Sequence, residues 1–146
     1  EDKGIFGYGE SFVAPYQFSM TNLVSNSGVV ATDVTGVGTA RQQLAATQYG
    51  DDKAIFGFGA TASAAVSMTN LVSNSGVVAT DTSGVGTARN GSAACSYDGD
   101  KGIFGYGTTP GGNVSMTNLV SNAGVVATDT TGVGTVRGYL KACSFN

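Results

Sequence analysis

A chain of 146 residues with a formal net charge of −3 and 12% charged side chains lacks the clustered Lys and Arg that phosphate backbones require, and lacks the charge density of a disordered segment. It contains no histidine, which excludes Ser-His-Asp and Cys-His sites and removes the commonest general base and metal ligand. No apolar run approaches the ~18 residues of a membrane-spanning helix, and Val, Phe, Tyr and Thr favour strands.

The string SMTNLVSN recurs at Ser19–Asn26, Ser67–Asn74 and Ser115–Asn122, each time followed by GVVATD and GVGT. A fixed period of this length marks a repeat architecture, in which each unit buries its apolar surface against its neighbours. One repeat domain, 1–146, therefore divides into units 1–50, 51–99 and 100–146.

Within a unit the first expected strand is the aromatic one: Asp2–Gly9, Asp52–Gly59 and Asp100–Gly107. Period-two alternation puts Phe6 and Tyr8 on one face and Ile5 on the other. Its paired glycines let another backbone approach closely, Gly7 more than Gly9. Next comes a stretch that varies in length and chemistry, Glu10–Phe18, Ala60–Val66 and Thr108–Val114, carrying Pro15 and Pro110 and expected to form an exposed loop. SMTNLVS is the second strand. Asn26-Ser27-Gly28 and its counterparts turn the chain into GVVATD, the third. The fourth is TARQQLAATQY, TARNGSAACSY or TVRGYLKACSF, joined to the following unit by a hairpin turn at Gly50-Asp51-Asp52 or Asp98-Gly99-Asp100.

Four antiparallel strands in such a unit suit a propeller blade by size and content, so the fold class expected is all-β with propeller-like blades. The run TAR-x-GSAA-x-SYDGDKGIFGYG resembles the kelch-type propeller family, with a leading Arg, a short turn and an aromatic strand ending in paired glycines. The glycine doublet is spaced here as GYG or GFG, and the family's Trp is absent. The repeats are also similar to the DKAIFGYG…TNLVSNTGVVATDTTGVGTAR repeat proteins of environmental bacteriophages. This resemblance implies a virion or extracellular location and a part in a tail, fibre or surface decoration. Three blades are fewer than the four to eight of a propeller ring. The first aromatic strand and the last strand, Val136–Phe145, are expected to find their neighbours in other chains or in a longer protein, making homo-oligomers or contacts with other virion proteins. The chain opens at Glu1-Asp2-Lys3, already inside the first unit, which leaves open a leader or domain outside it.

The recurrent ionisable residues are Lys3, Asp33 and Arg41, then Lys53, Asp81 and Arg89, then Lys101, Asp129 and Arg137. Charges repeated in every unit are expected to serve shared geometry, each Asp capping a turn and each Arg holding blade to blade; three equivalent polar-ligand sites are the alternative. The G-x-G strings lack the Lys-Ser/Thr of a P-loop. Asp98-Gly99-Asp100 lacks the further oxygens of a calcium loop, so neither metal nor cofactor is expected. Cys95 and Cys143 occupy matching positions and suit small buried thiols, with a disulfide between equivalent points as the alternative. Candidate ligand or partner contacts lie in the variable stretches, at Tyr16, Gln17 and Phe18, and at Thr109 and Asn113. The expected function is a non-enzymatic structural and recognition module, with a lectin-like glycan-binding propeller as the alternative.

Overall fold

In a computed structural model describing residues 3–145, the chain is all-β: eight strands and, among the described residues, no helix. Strands β1 (Gly4–Glu10) and β2 (Gln17–Val24) form a two-stranded sheet. Strands β3 (Ala45–Tyr49), β4 (Lys53–Gly57) and β5 (Thr69–Val72) form a second, in that order. Strands β6 (Ala93–Tyr97), β7 (Lys101–Thr109) and β8 (Gly112–Val120) form a third. All neighbouring pairs are antiparallel. Among the described residues no helix is long and apolar enough to cross a membrane.

The hairpin turns fall where their chemistry places them. Gly50-Asp51-Asp52 joins β3 to β4 and Asp98-Gly99-Asp100 joins β6 to β7, three-residue turns whose first two residues have positive φ, a backbone that Gly and Asp adopt more readily than most residues. GVVATD forms no regular strand. It meets β2, β5 and β8 only at isolated bridges, Val24 to Val30 and Thr21 to Val34 in the first unit and their equivalents in the others. The final segment pairs only over Ala45–Tyr49 and Ala93–Tyr97; the preceding TARQQL and TARNGS run outside the ladder, and no part of Val136–Phe145 is a strand. The variable stretch is a short loop, residues 11–16, in the first unit. In the third unit Thr108–Val114 closes β7 onto β8 at Thr109 and Gly112, so Thr109 and Asn113 are strand residues rather than loop residues.

The aromatic strand departs from simple alternation. Tyr8, Phe58 and Tyr106 have φ of 63°, 61° and 60°, and the ladder slips between Gly7 and Gly9 and between Gly105 and Gly107. A bulky residue in the left-handed region is an outlier, and the bulge inverts its facing. Phe58 thus joins Ile55 in the cluster with Phe104, while Phe56 points the other way, toward Ile5 and Tyr8. The expected pairing of Phe6 with Tyr8 on one face is therefore wrong, because the bulge adds a half-step that alternation alone omits. What approaches Gly7 and Gly57 is side chain, whereas Gly59 and Gly107 do meet backbone, an ideal β-carbon lying 2.7 Å from the carbonyl oxygens of Gln42 and Asn90 respectively. An ideal β-carbon on Gly57 would lie 2.7 Å from Cζ of Phe104, and one on Gly7 2.9 Å from Cζ of Phe56. Each glycine seats the next unit's phenylalanine, whose ring meets the bulged aromatic edge to face at 5.2 Å between centroids, the geometry favoured by aromatic quadrupoles.

Successive units are also tied through backbone. The N–H of Gly91 donates to the carbonyl of Gln43 at 2.9 Å, and the N–H of Tyr139 to that of Gly91 at 2.7 Å. All three residues have φ between 55° and 58°.

Candidate functional site

The most developed polar constellation lies at the seams between units. The TAR segment leaves the sheet and carries Arg41 and Arg89 into the interior, both with 0% exposure. Each side chain reaches forward into the next unit. Arg41 donates from Nε to the carbonyl of Phe58 at 3.0 Å, from Nη2 to Oδ1 of Asn70 at 2.7 Å, and from Nη1 to the carbonyl of Thr39 at 3.2 Å. Arg89 repeats the pattern on the Tyr106 carbonyl at 2.8 Å, Asn118 at 2.6 Å and Thr87 at 3.2 Å. The guanidinium carbons sit 4.3 Å from the ring centroid of Tyr8 and 3.9 Å from that of Phe58. A planar, weakly hydrated cation suits such a slot, with its faces stacked on a ring and its edge on carbonyls.

A carboxylate completes each seam. Asp81 lies 3.8 Å from Nη1 of Arg41, and Asp129 stands at the same distance from Arg89. Asp81 accepts from the backbone N–H and hydroxyl of Thr39 and from Nδ2 of Asn70, and Asp129 likewise from Thr87 and Asn118. Partial burial works to raise both carboxyls. The threonine and asparagine donors, with the nearby Arg, outweigh it and hold them below the usual range. Burial pushes the Arg89 guanidinium down to about 10, with Asp129 working against the fall; burial lowers Arg41 too, against Tyr8 and Asp81. Both remain cations at neutral pH. Thr39, Thr87, Asn70 and Asn118 were not singled out from the sequence, although the recurrent TAR and MTN strings contain them.

The outer copies of these residues are engaged differently. Arg137 is exposed, stacks 4.2 Å from the Tyr106 centroid and donates to the carbonyl of Thr135. Among the described residues it bridges no second unit, whereas Arg41 and Arg89 each join two. Asp33 is exposed and accepts from Nδ2 of Asn22 at 2.8 Å.

The variable residues do not converge on one pocket. Tyr16 and Phe12 project into solvent. Gln17 donates to the carbonyl of Ala60, in the next unit, at 3.3 Å, and Phe18 is half-buried in β2. Thr109 donates to the carbonyl of Gly112, and Oδ1 of Asn113 accepts from Thr108. A cavity of about 610 Å³ lies elsewhere, between the start of β1 and the β3–β4 hairpin, lined by Gly4, Ile5, Gln48, Asp52, Ala54 and Asn74 among others.

Among the described residues no three His, Cys, Asp or Glu side chains gather as a metal site. Asp98 is held by Lys101 at 2.6 Å, whereas Asp100 accepts from Asn122 at 3.0 Å, so these carboxylates face separate partners. Cys95, half-buried, and Cys143, exposed, are free thiols. No protein-family model and no curated protein matches the sequence.

Proposed function

We propose that the chain is a non-enzymatic structural and recognition module, a stack of kelch-like, propeller-type blades that displays variable loops, serving in a virion as part of a tail, fibre or surface decoration. The observation that carries the reading is the use made of the recurrent charges. The buried Arg and its Asp, Asn and Thr partners are spent on joining units, which leaves chemical variety to the exposed loop around Phe12 and Tyr16. The blade reading draws support from the meander β3-β4-β5 continued by the bridges at Val78 and Thr82. An enzyme would need an acid and a base in unlike environments, and Asp81 and Asp129 have matching ones.

The test is binding of the chain to host-cell surface polymers, with Phe12→Ser and Tyr16→Ser as loop variants. Binding lost in both variants at unchanged thermal stability supports display; binding that ignores the loop, or hydrolysis of the polymer, overturns it. The lectin-like alternative rests on the polar lining of the 610 Å³ cavity. It predicts glycan-array binding that a free sugar inhibits and that Asn74→Ala abolishes.

A further inference from the structure

The two internal seams specify, residue by residue, a surface that recurs unfilled on the third unit and its complement on the first. In the seams Phe56 (4% exposed) and Phe104 (0%) cover Gly7 and Gly57 and abut Tyr8 and Phe58. The third copies are Gly105 and Tyr106, where a β-carbon on Gly105 would meet only Thr117, and the phenylalanine that matches this seat is Phe6, which is 63% exposed. Tyr49 (4% exposed) and Leu71 pack over Gly124. Their counterparts Tyr97 and Leu119 are 37% and 41% exposed, and the matching Gly28 has nothing within 4 Å of its β position. Arg137 offers Nε and Nη2, while Asn22 Oδ1, Asp33 and the Tyr8 carbonyl are the acceptors that equivalent arginines use in the seams.

A strand is poised at the same place. Lys141–Phe145 matches β3 and β6 in sequence and is held beside β6 by the Tyr139 N–H on Gly91 and by the Ser144 hydroxyl on Ser96 at 2.6 Å. It makes no ladder. Each of β4 and β7 lies between two strands, whereas β1 pairs only with β2, and the 610 Å³ cavity runs along the start of β1. In the second seam β3 fills the equivalent space, so that a β-carbon on Gly102 would lie 2.7 Å from Cγ2 of Thr47. In the cavity Ala54 stands in place of Gly102 and brings a β-carbon. The strand segment that matches β3 there carries Cys143, without a second γ branch, in place of Thr47. The two exchanges compensate each other.

We propose that copies of this chain associate head to tail, the third unit of one docking on the first unit of the next, with Lys141–Phe145 adding to β1 as an antiparallel strand. The pairing of β3 with β4 and of β6 with β7 sets the register: Cys143 opposite Ile5 and Phe145 opposite Lys3 of the next copy. Phe6 then seats on Gly105 against Tyr106, and Arg137 reaches Asn22 and Asp33. Addition of a strand to an open edge supplies backbone hydrogen bonds, and the side-chain seats supply specificity. The heterologous contact repeats until a ring closes, or continues as a filament. The inference rests on seam geometry alone, so its failure would leave the display reading intact.

Sedimentation of the 146-residue chain across a concentration series tests it, with species at whole multiples of the protomer mass expected. Phe6→Asp and Arg137→Glu, both at exposed positions, should each weaken association by about tenfold or more while the far-UV spectrum of the monomer is unchanged. In a Cys95→Ser background, Ile5→Cys with native Cys143 should form an intermolecular disulfide under oxidised glutathione, since directly opposed strand positions lie within disulfide range; Ile5→Cys combined with Cys143→Ser should not. A folded monomer throughout the series overturns the proposal. So does association that survives both charge variants, or that yields no such disulfide.

Discussion

Replacing Arg89 by Met removes a buried cation while keeping much of its apolar stem. Three hydrogen bonds are lost, to the Tyr106 carbonyl, the Thr87 carbonyl and Asn118. Asn118, fully buried, keeps its Nδ2 bonds to Ala127 and Asp129, but its Oδ1 and the Tyr106 carbonyl are left without a donor. Each orphaned buried acceptor costs about 1–3 kcal/mol. Against this, the variant no longer desolvates a charge, and a hydrophobic side chain of similar length recovers part of the packing. The net expectation is a loss of about 2–4 kcal/mol, or a melting point lower by about 5–15 °C for a chain of this size. Urea denaturation at low micromolar concentration measures it, with Arg137→Met as control, expected within about 0.5 kcal/mol of the parent because its guanidinium is exposed. Equal losses for Arg89→Met and Arg137→Met, or no loss for Arg89→Met, would refute the view that the seam depends on the buried guanidinium.

Three further expectations use the same assay. Gly57→Ala places a β-carbon 2.7 Å from the Phe104 ring and should cost about 1–3 kcal/mol through overpacking, whereas Gly105→Ala, with its nearest neighbour at 3.3 Å, should cost clearly less. Asp81 and Asp129 are held below their ordinary carboxyl values, so their stabilisation is complete above the unfolded value of about 3.9 and is lost as pH falls through the lower folded value. Stability should therefore decline below about pH 4, and Asp81→Asn should flatten that decline; an unchanged acid limb in Asp81→Asn would exclude this carboxylate as a source. Tyr8→Phe loses the hydroxyl bond to the Val37 carbonyl at 3.1 Å and should cost about 1 kcal/mol or less, since Phe58 fills the same place in the second unit; a loss above about 2 kcal/mol would show the units are not interchangeable.

The repeat, the all-β class and the hairpin turns were legible because each leaves a local mark: recurrence, β-branched and aromatic content, and Gly-Asp or Asp-Gly at positive φ. The seam was only half legible. A triplicated Arg suggested geometry rather than chemistry, but its partners Asn70 and Asp81 lie in the next unit, and spacing cannot show that a tertiary contact joins them. The bulge at Tyr8 was hidden for a different reason. Alternation assumes that every residue adds one half-turn of the pleat, and nothing in GYG announces that the tyrosine, as well as the glycine after it, takes positive φ. Stacking under Arg41 is what offsets that strain. The third strand is over-read, because GVVATD has strand composition but meets its neighbour at one bridge, with a second at the residue that follows it.

The hydrogen bonds that tie Gln43 to Gly91 and Gly91 to Tyr139 run from unit to unit through equivalent backbone points. The variable stretches lie near these ties: Gln42 bridges Ala60, Asn90 bridges Thr108, and Gln17 reaches Ala60. Stretches of unlike length and chemistry are thereby brought to neighbouring places in successive units. A surface touching that side meets residues of more than one unit, and exchanging one stretch would change part of that face while the backbone ties beneath it stayed in place.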